Sequence, residues 1–149
     1  MIQALKSLFE HPERDSLESR QHALHMAAAA LMIETVRADF IHNDAEQARL
    51  TELLSESLQL SQEKIKALVV AAEARVDEAI SLYEFTRVIN DHYSAEQKLG
   101  LINAMWSVAY ADNDLDKYEE HLIRQVAELT YVPHSDYIQS KLSAKETTA

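Results

Sequence analysis

Residues 94–112 read SAEQKLGLINAMWSVAYAD, and residues 21–39, which lie 73 positions earlier, read QHALHMAAAALMIETVRAD. In the later stretch Ser94-x-x-Gln97 has the form of a capping box, the pattern that starts a helix by satisfying its first free amides. Leu99, Ile102, Met105, Trp106 and Ala109 then recur at helical spacing. The offset lays this stripe on Met26, Ala29, Met32, Ile33 and Val36, so the apolar face has the same phase in both stretches. It also lays Ala38 on Ala111, Asp39 on Asp112, Asn43 on Asp116, Glu46 on Glu119 and Ile65 on Ile138. Agreement of apolar phase together with agreement of acids predicts an internal repeat, over about residues 17–75 and 90–145. The fold expected is all-α: a single-domain bundle of about seven helices made of two pseudo-symmetric helical-hairpin halves.

The rest of the chain supports helix. One Gly and 2 Pro in 149 residues leave little material for hairpins or phosphate-binding loops. Ala, Leu, Glu, Gln and Lys, all good helix formers, fill the periodic segments. A short helix is expected over residues 2–9, ending before His11-Pro12, because the residue before proline is pushed out of the α region. A second should start at the Asp15-x-x-Glu18 capping box and run to about Asp39. Further helices are expected from Asn43 to about Ser57, and from Ser61 to Asn90 with an interruption at Ile80 and Ser81. Helices from Asp116 to about Leu129 and from Pro133 to about Ser143 complete the set, and Lys145 to Ala149 read as a frayed tail. A chain of this length buries roughly 68–70% of its unfolded surface and folds without a staple.

Composition excludes several classes of function. With no Cys there is no disulfide, thiolate metal site or thiol nucleophile. The 14 Lys and Arg against 25 Asp and Glu give a formal charge of -11, which repels nucleic acid and anionic lipid and favours cations or basic partners. The longest apolar run, Met26 to Ile33, is too short to span a bilayer, and the start of the chain lacks a signal-peptide pattern, so a cytoplasmic protein without stable membrane insertion is expected.

Chemistry concentrates in two acidic turns. The second, Asp112-Asn113-Asp114-Leu115-Asp116-Lys117-Tyr118-Glu119, carries carboxylates at alternate positions and again in the first helical turn. Hard cations take about six to eight oxygen ligands, so this pattern suits Ca2+ or Mg2+ better than zinc. It is not the usual calcium-binding helix–loop–helix signature, since no Gly stands sixth and Ile123 stands twelfth. The first turn, residues 39–46, keeps Asp39 and Glu46 but has Ile41 where Asp114 stands, with Glu34 about one turn earlier on the helix. Asn43-x-x-Glu46 and Asp116-x-x-Glu119 are also capping boxes, and capping alone accounts for these acids without a cation.

Other candidates have less chemistry behind them. His22 and His25 are three apart on a helix, but no Glu-x-x-His accompanies them, against the di-iron bundle pattern. Tyr83, Phe85, Tyr93, Trp106 and Tyr110 read as packing residues. No nucleophile stands beside a base in a local pattern, so the chain reads as non-catalytic.

The segments Glu34-x-x-x-Ala38-Asp39 with Glu46, and Ala109-Tyr110-Ala111-Asp112 with Glu119-Glu120-x-Leu122-Ile123-Arg124, resemble the TerB-like family, named for tellurite-resistance proteins. Residues 132–141, VPHSDYIQSK, are similar to the end of an uncharacterised bacterial branch of it, and the resemblance covers about residues 17–142. It implies paired helical hairpins, a bacterial cytoplasmic origin and a metal-binding surface of turn acids: Glu34, Asp39 and Glu46, then Asp112 and Glu119. The Gly that often follows the Asp in that pattern is here Phe40 or Asn113, and Ser107 matches Glu34.

The leading expectation is a non-catalytic module binding Ca2+ or Mg2+ through Glu34, Asp39, Glu46, Asp112, Asp114, Asp116 and Glu119. The alternative is a metal-independent acidic adaptor for a basic protein partner. A third reading has the Ile2, Leu5, Leu8 and Phe9 stripe touching a membrane surface. The sequence does not fix a homo-oligomeric state.

Overall fold

The computed structural model describes residues 21–38, 44–111 and 115–148. Among these, seven helical segments occur and no strand: α1 (21–37), α2 (Asp44–Leu58), α3 (Gln62–Glu78), α4 (Tyr83–His92), α5 (Ala95–Ala109), α6 (Lys117–Leu129) and α7 (His134–Thr148). The helix expected over residues 2–9 and the Asp15-x-x-Glu18 box lie outside the described residues.

The start signals act as the local chemistry requires. Ser61 Oγ accepts from the Lys64 amide to begin α3. At α5 the full capping box forms, Ser94 Oγ accepting from the Gln97 amide and Gln97 Oε1 from the Ser94 amide. The interruption at residues 79–82 separates α3 from α4, and Glu84 accepts from the Ile80 amide across it. Two expectations are corrected. Residues 145–148 are helical rather than frayed, since nothing after Ser143 breaks a helix and Ala, Lys and Glu favour one. Tyr83, expected to pack, is exposed, whereas Phe85, Trp106 and Tyr110 are buried and Tyr93 is partly so.

Helix α1 is buried almost all round: every residue from Ala27 to Ile33 is in the core, the composition of a central helix. Helix α5 packs against α2, α6 and α7, and α4 is tied to the end of α6, where Asn90 Nδ2 donates to the Leu129 carbonyl at 2.9 Å. One cluster of buried side chains, drawn from all seven helices, forms the core.

The helix boundaries repeat as the sequence offset requires. Residue Asp44, which opens α2, lies 73 before Lys117, which opens α6. Thr35 and Val108, Val36 and Ala109, and Leu50 and Ile123 are buried pairs at that offset. Each repeat therefore holds a helical hairpin and a third helix, with α4 joining the two sets. In the third helix the offset changes to 72, since Gln62 opens α3 and His134 opens α7. Ile65 is 1% exposed, but Ile138, its partner by the sequence match, is 38% exposed, and the core position is taken by Tyr137 at 4%. The slip occurs within the second helices. Gln59 (φ 53°) follows α2 and Tyr131 (φ 62°) follows α6, both left-handed and 72 apart. At Tyr131 the turn is a Schellman motif, with the Val132 amide donating to the Ala127 carbonyl and the Tyr131 amide to that of Glu128.

Candidate metal centre

The acids of the two turns divide into those the structure describes and those it does not. Asp39, Asp112 and Asp114 lie outside the described residues. Glu34, Glu46, Asp116 and Glu119 are described.

Glu46 and Glu119 are each the third residue of a helix, α2 and α6, and they are 0% and 1% exposed. A carboxylate in a first helical turn is favoured by the positive end of the helix dipole, which helps both to be accommodated there. Each is engaged within the protein. Their burial at matched positions puts two carboxyl groups inside the protein, one at the start of α2 and one at the start of α6. Sequence reading identified the residues, but alternation and charge alone do not show that these two acids point inward.

Asp116 is the N-cap of α6, and its Oδ2 accepts from the Tyr118 amide at 2.9 Å. The cap thus reaches the second helical residue, whereas the sequence pattern pointed to the third. Lys117, the one basic residue in this turn, stands with its Nζ 5.2 Å from the centre of the Tyr118 ring. Glu34 is half-buried near the end of α1. Burial raises its pKa above the usual carboxylate value, and the nearby Arg37 guanidinium opposes that shift. Arg37 itself bonds Asp77 of α3 at 2.6 Å and lies 4.0 Å from Glu73. At the Glu34-equivalent position Ser107 Oγ accepts from Arg49 Nε at 2.9 Å, so α2 of the first half is joined there to α5 of the second. Only one half therefore has an acid at this point.

Trp106 lies in the last turn of α5. It is fully buried, its ring 5.9 Å from that of Tyr110, the residue that closes α5, and 5.5 Å from that of Tyr137. Among the described residues no three His, Asp or Glu side chains come together as a cation-holding group. His22 and His25 adjoin each other on α1, and burial followed by the charge of His22 lowers the His25 pKa.

The family model described as tellurite resistance protein TerB matches residues 25–142. The chain belongs to the TerB family. Comparison with curated proteins and with solved structures gives no match. The TerB match spans both repeats and α4 between them. Among the described residues no helix is long and apolar enough to cross a membrane.

Proposed function

We propose that this TerB-family chain is a non-catalytic module whose acidic turns, residues 39–46 and 112–119, bind a divalent cation, Ca2+ or Mg2+. The observation that carries the reading is the burial of Glu46 and Glu119 at equivalent places beside those turns. The turns add alternating carboxylates to these two glutamates, an oxygen-rich set of the kind that hard cations favour. Glu46 and Glu119 would anchor it from the helix side, Asp39, Asp112, Asp114 and Asp116 from the turns, and Glu34 would assist the first site.

The test is a Ca2+ and Mg2+ titration of chelator-treated protein, read by melting temperature and by Trp106 emission. At a hundredfold excess over Kd, binding adds about 2.7 kcal/mol, or roughly 5–11 °C for a chain of this size. Asp116→Asn keeps a competent N-cap and removes a charge. It should leave the metal-free melting temperature unchanged and weaken cation binding. If neither ion moves either signal, the cation reading is wrong and capping accounts for the acids.

A further inference from the structure

In each repeat a groove lies beside the third helix, and the two grooves differ in chemistry. The first, a cavity of about 540 Å3, is formed by the start of α1, the end of α2 and α3. Its apolar wall includes Leu58, Leu60 and Leu68, and His22, His25 and Lys64 stand at its rim. The second, about 430 Å3, lies between α5 and α7. At the offset of 72, Lys64 corresponds to Asp136, Ala67 to Gln139, Leu68 to Ser140 and Ala71 to Ser143, so every one of these apolar or basic positions is polar or acidic in the second half.

Charge sets the first groove apart further. In a chain of net charge -11, its described lining contains no carboxylate, whereas the other cavities described include Asp136, or Glu84 and Asp91, or Glu52 and Glu56. Gln59, in the left-handed conformation that Tyr131 also adopts after α6, turns the chain between Leu58 and Leu60, the two leucines that line the cavity on either side of the bend. The volume is in the range of small-molecule sites, which pair an apolar lining with a few convergent polar groups.

We propose that this groove binds a single-chain anionic amphiphile, a free fatty acid, with the alkyl chain against Leu58, Leu60 and Leu68 and the carboxylate at Lys64, His22 and His25. Lys64 supplies a fixed positive charge, and the two imidazoles supply N–H donors one helical turn apart. The inference is independent of the cation reading, and its test is carried out in chelator so that the two fail separately.

The full chain is titrated with dodecanoate below its micellar range, observed through the Leu58, Leu60 and Leu68 methyl resonances and the His22 and His25 ring protons. Saturable shifts confined to these groups are expected, with dodecanol and dodecyltrimethylammonium giving shifts at least tenfold weaker. Lys64→Asp with Ala67→Gln places the second groove's residues in the first. Both positions are exposed, and Asp is favourable in a first helical turn, so the variant keeps the fold. It should lose at least tenfold in dodecanoate affinity. Absence of saturable shifts, equal binding of dodecanol, or unchanged affinity in the double variant would each overturn the assignment.

Discussion

Alanine at Ile65, Tyr137 and Ile138 distinguishes the offset read from sequence from the one the fold adopts. Ile65 is fully enclosed between α3 and the core, so Ile65→Ala removes buried methyl groups and leaves a cavity, at a cost of about 2–5 kcal/mol. Tyr137 holds the corresponding place in α7, with its ring 5.5 Å from that of Trp106. Tyr137→Ala should cost about 3–5 kcal/mol, as for other large aromatic truncations, lowering the melting temperature by roughly 6–20 °C. Ile138 is outside the core cluster and over a third exposed, so Ile138→Ala should cost less than about 1 kcal/mol. The assay is equilibrium urea unfolding at constant m, with Trp106 emission as a second probe for the Tyr137 variant. If Ile138→Ala proved as costly as Ile65→Ala while Tyr137→Ala were mild, α7 would have the 73-residue register and the slip would be refuted.

Three further outcomes are expected. Gln59→Gly and Tyr131→Gly relieve left-handed strain worth about 1–2 kcal/mol, partly offset by the greater entropy of glycine in the unfolded chain. Each should raise stability by about 0.5–1 kcal/mol, and a fall in melting temperature would contradict the backbone assignment. His25 has a folded pKa below 6.5, so between that value and 6.5 the unfolded chain binds more protons. Stability should fall as pH drops through this window, and His25→Gln should show a shallower fall in melting temperature between pH 7.5 and 5.5. Glu34 has a raised pKa in the metal-free protein, so it weighs against the fold as pH rises from 4.5 toward the folded value and its carboxyl deprotonates. Carboxyl NMR should show that pKa moving down on addition of Ca2+, and an unchanged titration would remove Glu34 from the first site.

Much of the architecture was legible because its signals are local. Ser61, Ser94 with Gln97, and Asp116 sit where a hydroxyl or carboxylate can take a free helix amide, and each does so. The apolar stripe of α5 and its counterpart in α1 share a phase, so the repeat was visible without any structure. The match of Ile65 to Ile138 misled because a one-residue slip changes which face of a helix is buried, while two isoleucines look alike in either register. The left-handed bends were not visible for a related reason. The single glycine, Gly100, lies within α5, so Gln59 and Tyr131 make these turns without the residue that normally marks them.

The candidate site was legible by residue type but not by orientation. Alternating acids showed where negative charge collects, and the family resemblance picked out the same positions. Whether a glutamate faces water or the core depends on how its helix is rotated against its neighbours, which the surrounding packing sets.

By itself the sequence determined that this chain is helical, repeated and acidic, because capping, apolar period and charge are properties of short stretches. The tertiary structure alone decided that Glu46 and Glu119 are enclosed, that α7 presents Tyr137 rather than Ile138 to the core, and that the two grooves differ in lining. Those follow from the rotation and register of whole helices, and these are fixed by contacts between residues far apart in the chain.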